Sequence, residues 1–220
     1  VEEKMSKSTF KLFTQTGILL SILGLSLLGS RPTLAYFTTL DSGEIPAKER
    51  FRVSVAPQFI FNRYDGVNLV TQFDVPLEDG RSARGLLGFG SVDFQMGGFY
   101  KMVPFPDLDG QPAIGAMVGG IYSSIKGTNE LSLRIHPLIS KKIPTEVGDL
   151  IVYGSVPTGV TWRTGVETIV PVQAVLGTEA RFLDWERFGF LAELGLNVTQ
   201  SFSYFALGVS YEFDKSRIGQ

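Results

Sequence analysis

Residues 188–198 read Phe-Gly-Phe-Leu-Ala-Glu-Leu-Gly-Leu-Asn-Val, and residues 204–213 read Tyr-Phe-Ala-Leu-Gly-Val-Ser-Tyr-Glu-Phe. In the first stretch Phe188, Phe190, Ala192, Leu194, Leu196 and Val198 fall on one side of an extended chain, with Gly189, Glu193, Gly195 and Asn197 on the other. In the second, Phe205, Leu207, Val209, Tyr211 and Phe213 oppose Tyr204, Ala206, Gly208, Ser210 and Glu212. Alternation with a period of two marks a β-strand with unlike faces. One face here is a long apolar row. The other is built of small and polar residues.

The same pattern recurs upstream, over 51–61, 67–77, 92–102, 131–139 and 170–182. Ile60 breaks the alternation in the first of these. Three glycine-rich segments, 83–90, 113–123 and 149–163, bring the count to about ten strands, or eight if two of them are not strands. Turn-forming clusters separate the segments, such as Glu78-Asp79-Gly80 and Lys126-Gly127-Thr128-Asn129. The connections are too short for a crossover helix, so neighbouring strands pair antiparallel as hairpins.

A soluble sandwich would also alternate, but three features favour a closed barrel in a membrane. The apolar rows have the length of a tilted membrane strand, about 9–11 residues. The opposite faces carry many small residues (Gly97, Gly115, Gly119, Gly177, Gly195, Gly208), as a narrow lumen needs. Aromatics collect near strand ends, among them Phe51, Phe61, Tyr64, Tyr100, Phe105, Trp162, Trp185, Phe188, Phe202, Tyr211 and Phe213, where interfacial girdles belong. The expected fold is therefore all-β: an antiparallel up-and-down transmembrane β-barrel over 50–213. An even strand number puts both chain ends on one side. The opposite loops, near 62–66, 90–92, 124–129, 163–168 and 199–203, are short.

Ahead of the strands lies an address. Lys7 and Lys11 precede an apolar run from Ile18 to Leu28, and Thr33-Leu34-Ala35 supplies small residues for cleavage after Ala35. A basic start, a short apolar middle and a small-residue site form a secretory signal peptide. The run is shorter than the roughly 20 residues of a spanning helix. The expected organisation is 1–35 signal peptide with upstream residues, 36–49 periplasmic lead-in, 50–213 barrel and 214–220 periplasmic tail.

With these strands the chain resembles the small outer-membrane β-barrels of Gram-negative bacteria, the OmpA/OmpX/OmpW-like group, over about 50–213. Gly208, Tyr211 and Phe213 are similar to the C-terminal insertion signal read by the barrel assembly machinery. Asp214 to Gln220 continue past the aromatic at which such chains usually end, and Ala206 stands where the signal prefers a polar residue. The resemblance implies a bacterial outer-membrane location, lipid as solvent and the assembly machinery as a transient partner.

Composition narrows the chemistry. The 220 residues include no cysteine and one histidine, with a net charge of −2. That excludes disulfides, thiolate metal sites, a cysteine nucleophile and any site with two imidazoles. There is no basic face for nucleic acid. No cofactor or metal is expected. Arg52, Asp74, Asp93, Lys101, Arg134, His136, Arg163, Glu179, Arg181, Glu193 and Glu212 read as inward, with five basic and five acidic side chains beside the histidine. In a small barrel such charges persist only when paired. A closed, ion-paired lumen with a structural or surface-interaction role is the first expectation, and a narrow channel for small solutes or ions the second. A lipid or peptide hydrolase built on His136 ranks lower. Ser132 and Ser140 sit about 13 Å from it along the strand, so only a cross-strand serine would serve as nucleophile.

Overall fold

The computed structural model describes residues 40–62 and 65–215. The leader expected over 1–35, the first residues of the lead-in and the tail beyond Lys215 lie outside the described residues.

Twelve strands follow in order: β1 (Arg50–Phe61), β2 (Gly66–Glu78), β3 (Arg81–Gly90), β4 (Phe94–Phe105), β5 (Ala113–Ile125), β6 (Thr128–Thr145), β7 (Gly148–Ser155), β8 (Thr158–Arg163), β9 (Val166–Ile169), β10 (Val172–Phe182), β11 (Phe188–Thr199) and β12 (Ser203–Asp214). Each pairs antiparallel with its sequence neighbour from β1 to β7. β10, β11 and β12 continue the sheet, and β12 returns to β1, with Val53 opposite Tyr211 and Phe59 opposite Phe205. The sheet is thus a closed cylinder.

Two wall positions are each shared by two strands. β6 pairs with β7 through Leu138–Thr145 and with β8 through Glu130–Ile135. β10 pairs with β7, while β9 pairs with β8. Pro157 splits β7 from β8, and Pro171 splits β9 from β10, at nearly the same height. Neither proline has an N–H to give to the ladder. The Gln173 N–H bridges the break by donating to the Pro157 carbonyl at 3.0 Å. Counted around the ring, the barrel has ten strands, the number read from the alternation.

The faces sort as the alternation requires. Leu194 is 37% exposed on the outside, and its neighbour Glu193 is 1% exposed inside. Leu69, Leu87, Val118, Leu133, Leu176 and Leu207 likewise stand on the exterior. Ile60 lies within, in an apolar cluster with Leu40, Val70, Leu86, Val92, Ile125, Leu191 and Phe202. Phe202 therefore does not join an outer aromatic belt, because the turn before β12 directs its ring into the barrel mouth.

Asp93 also departs from expectation. It is exposed in the turn before β4, while Val92 turns inward. The reversal starts at Gly90, whose φ of +138° suits only glycine; a Cβ there would stand 2.3 Å from the Val67 carbonyl oxygen. The Val92 N–H then donates to Asn68 Oδ1 at 2.8 Å. Alternation shifts by one residue at such a turn, so Asp93 leaves the lumen set.

Small inward residues have identifiable tenants. A Cβ on Gly195 would meet the Tyr204 ring at 2.2 Å, and one on Gly177 would meet the Tyr153 ring at 2.2 Å. Each tyrosine lies flat over a glycine of the neighbouring strand. Gly195→Ala should therefore displace Tyr204 and cost about 1–3 kcal/mol in denaturant unfolding. Gly85→Ala, with nothing within 4 Å of its added Cβ, should be nearly neutral.

Candidate functional site

Among the described residues, buried charge collects in the lumen. Six basic side chains, Arg52, Arg84, Lys101, Arg134, Arg163 and Arg181, share it with six carboxylates, Asp41, Asp74, Glu130, Glu179, Glu193 and Glu212. All but Arg181 are almost entirely removed from solvent; its side chain is 23% exposed near the mouth that holds both chain ends. Burial of a charge is tolerated only with a partner and hydrogen bonds; ion pairs join most of the set, and Arg134 donates to the Ser132 hydroxyl at 3.3 Å.

Two networks dominate. In the first, Arg84 makes a forked pair with Asp74, Nε to Oδ1 at 2.6 Å and Nη2 to Oδ2 at 2.8 Å. It also donates to Asp41 Oδ1 at 3.0 Å, and Lys101 Nζ donates to the same oxygen at 2.7 Å. In the second, Arg52 meets Glu212 at 2.9 Å and Glu179 at 3.6 Å, and Arg181 meets Glu179 at 2.7 Å. Glu193 stands between them, accepting hydrogen bonds from the hydroxyls of Tyr153 and Tyr204. A smaller pair, Arg163 with Glu130 at 2.7 Å, lies toward the opposite mouth.

Asp41 belongs to the segment expected to wait outside as a lead-in. Instead Leu40, Asp41 and Ser42 are 1–3% exposed, inside the cylinder. The Ser42 hydroxyl donates to Glu179 Oε2 at 2.6 Å, and the Gly43 N–H donates to Ser140 Oγ at 3.0 Å. Lys101 Nζ also donates to the carbonyls of Ser42 at 2.6 Å and Glu44 at 2.8 Å. Leu40 enters the apolar cluster at the far end. Residues 40–44 thus form a strap running up the lumen, which corrects the periplasmic lead-in for this part of the chain. An eight-stranded ring is just filled by its own side chains. Ten strands leave room for an extended peptide, and the chain supplies one.

Of the residues expected in the lumen, Arg52, Asp74, Lys101, Arg134, His136, Arg163, Glu179, Glu193 and Glu212 are there, with Arg181 nearer the mouth and Asp93 absent. Arg84, Asp41 and Glu130 join them, and none of these three was assigned from the sequence. Gly208 faces inward beside Ala56. Tyr211 and Phe213 face outward in a run of touching rings. Phe213 stacks on Phe51 at 5.0 Å and meets Tyr211 at 4.6 Å, and Tyr211 meets Phe188 at 4.8 Å.

His136 packs its ring against Phe99 at 5.3 Å. Together with Asp41, Met117, Leu138 and Ser155 it surrounds a void with no room for a water-sized sphere. The cross-strand serine exists, but the Ser155 hydroxyl donates to the Pro137 carbonyl at 2.7 Å. No substrate fits between these groups as they stand.

At the mouth, the β4–β5 turn is stapled to β6. Lys141 Nζ donates to Asp107 Oδ1 at 2.5 Å, and the Lys142 N–H donates to Asp107 Oδ2 at 2.5 Å. Burial acts to raise the Asp107 carboxyl, but these contacts outweigh it and hold it below the ordinary aspartate value. A lowered native value means this stabilisation is present above the unfolded value of about 3.9 and is lost as pH falls through the lower native value. Amide-exchange protection at Lys142 should therefore fall as pH drops below about 4. In Asp107→Asn it should be low throughout.

No protein-family model and no curated protein matches the chain. Among solved structures, it is similar to the translocator domain of autotransporter NalP from Neisseria meningitidis, at 12% identity over 94% of this chain and 98% of that one, with a TM-score of 0.43. The β domain of the Bordetella autotransporter Brka gives 13% identity over 74% and 98%, with a TM-score of 0.42. Ail, the attachment invasion locus protein of Yersinia pestis, gives 10% over 74% and 97%, with a TM-score of 0.31. None of these likenesses bears on a role.

The Arg84 network makes a direct prediction. Arg84→Met leaves Asp74 and Asp41 buried with less positive charge and should cost about 3–5 kcal/mol in denaturant unfolding. Arg81→Met, which breaks the exposed pair with Glu78, should cost about 1 kcal/mol or less.

Proposed function

We propose that this chain is an integral protein of a bacterial outer membrane, a small barrel of the OmpA/OmpX/OmpW-like kind with a structural or surface-interaction role. The observation that carries the reading is the inversion of the usual burial order. Large apolar side chains stand on the outside around the whole ring, from Leu69 on β2 through Val118, Leu133 and Leu176 to Val209 on β12, while charges and amides fill the inside. Exposed apolar area of that extent is unstable in water and suited to hydrocarbon, where a closed barrel leaves no backbone group unpaired to lipid.

The lumen supports a closed state over a standing channel. The strap and the paired charges occupy it, and wide aqueous pores belong to rings of 16 or more strands. The surroundings of His136 support a packing role over catalysis, so we assign no enzymatic activity. Lipid is then the solvent. Tyr211 and Phe213, on the strand that closes the ring, are the residues we assign to recognition by the barrel assembly machinery during insertion. The short connections at the rim opposite the chain ends favour a compact surface over an extended adhesive one.

Heat-modifiable gel migration after refolding into detergent or vesicles tests the reading. The folded form should migrate differently from the boiled one and should require detergent or lipid; a soluble monomer folding without either would overturn it. Leu194→Arg should cost about 2–4 kcal/mol in vesicle-hosted unfolding if Leu194 lies near the bilayer midplane.

A further inference from the structure

The place held by the Asp41 carboxylate has the chemistry of an anion site. Two cations converge on it, Arg84 at 3.0 Å and Lys101 at 2.7 Å, both almost fully buried. The site is filled by the chain's own strap rather than by a wall residue. Its two cations are not equally provided for without the strap. Arg84 keeps its forked pair with Asp74. Lys101 donates to Asp41, to the Ser42 carbonyl and to the Glu44 carbonyl, all three on the strap.

We propose that the strap is a removable plug, and that the lumen it vacates binds and conducts small anions, such as chloride or a short carboxylate, at Arg84 and Lys101. Among the described residues the lumen is balanced at six basic and six acidic side chains only because the strap contributes Asp41. Withdrawal leaves one excess positive charge, centred on Lys101. Asp74 is already held by Arg84, and a buried Lys101 ammonium deprived of the Asp41 carboxylate is strongly unfavourable, so water and an anion enter the space the strap leaves. The same movement takes Leu40 from the apolar cluster at the far mouth and Ser42 from Glu179. One displacement thus loosens both ends of the lumen. The inference rests on the membrane reading above and adds to it an activity, the ion class and a gate.

The geometry offers a lock. A Cβ on Gly43 would lie 3.5 Å from the Ser140 Cβ, within the range of a disulfide, and the natural chain has no cysteine to interfere. The test is planar-bilayer recording of the full-length triple variant Asp41→Ala, Gly43→Cys, Ser140→Cys. A milder triple variant with Asp41→Asn is recorded beside it, in case the alanine variant does not fold. Insertion of each is verified by heat-modifiable migration.

Reduced, either variant should conduct at least about tenfold more often than the wild type. Its reversal potential in a potassium chloride gradient should lie toward chloride, and added acetate should lower the chloride current by competing for the vacated site. Oxidised, both should be silent. Inserted barrels that stay silent when reduced, conduct equally when oxidised, or prefer potassium would overturn the proposal while leaving the membrane reading intact. Failure of the wild-type chain to insert at all would overturn both.

Discussion

Lys101 sits in the interior of a cylinder whose outer surface is apolar, and its ammonium is held by a carboxylate and two carbonyls from a segment that is not part of the wall. A charge in that position has no water to fall back on. The strap must be inside for the lysine to be inside, and the ring must be wide enough to admit the strap. Ten strands meet that condition. The Arg84–Asp74 fork braces the strap's carboxylate from the wall side, and the Ser42 hydroxyl ties the first ionic network to the second through Glu179. The interior is a connected set of dependencies, with one peptide segment threaded through it.

Glycine and tyrosine solve the remaining volume together. Tyr153 and Tyr204 extend across neighbouring strands, cover Gly177 and Gly195, and deliver their hydroxyls to Glu193. A buried acid thereby accepts hydrogen bonds from two neutral donors on strands either side of it. The wall strands could not carry bulkier residues at those glycines without dismantling the hydrogen bonds at the other end of each ring. On the exterior, Phe51, Phe213, Tyr211 and Phe188 place rings of three consecutive wall strands in contact at the seam where the last strand meets the first. That adds outer cohesion at a seam that the ladder and the Arg52–Glu212 pair already join from within.

Much of this was legible from alternation alone: the strand count, the inward and outward faces, and most of the lumen charges. What escaped did so for definite reasons. A two-residue turn at Asp79-Gly80 would by simple arithmetic set Asp74 opposite Gly85. An irregularity between Pro76 and Glu78 slips the register so that Arg84 takes that place, and a bulge of one residue leaves no mark in hydrophobic periodicity. Asp93 was misplaced by the opposite error, since alternation was carried through a turn that resets it. Asp41 lies outside any strand, in a stretch with no periodicity, so alternation could not place it beside Lys101 and Arg84. The tyrosines' pairing with Glu193 had no mark in the alternation, because sequence shows a ring but not where its hydroxyl ends.

The paired breaks at Pro157 and Pro171 have a mechanical consequence. Below them the ring is sealed by a continuous ladder from β7 through β10 to β11. Above them β9 is hydrogen-bonded into the sheet only through β8, and the last ladder pair between β10 and β11 joins Val172 to Thr199. A side-chain contact, the Val170 N–H donating to Gln200 Oε1 at 3.1 Å, stands where further rungs would be. A tube slit along part of its length resists twisting far less than an intact one. Torsion applied to this barrel concentrates at that rim, and the β8–β9 hairpin is the piece of wall that yields first, carrying the Arg163–Glu130 pair with it and leaving the two larger ionic networks undeformed.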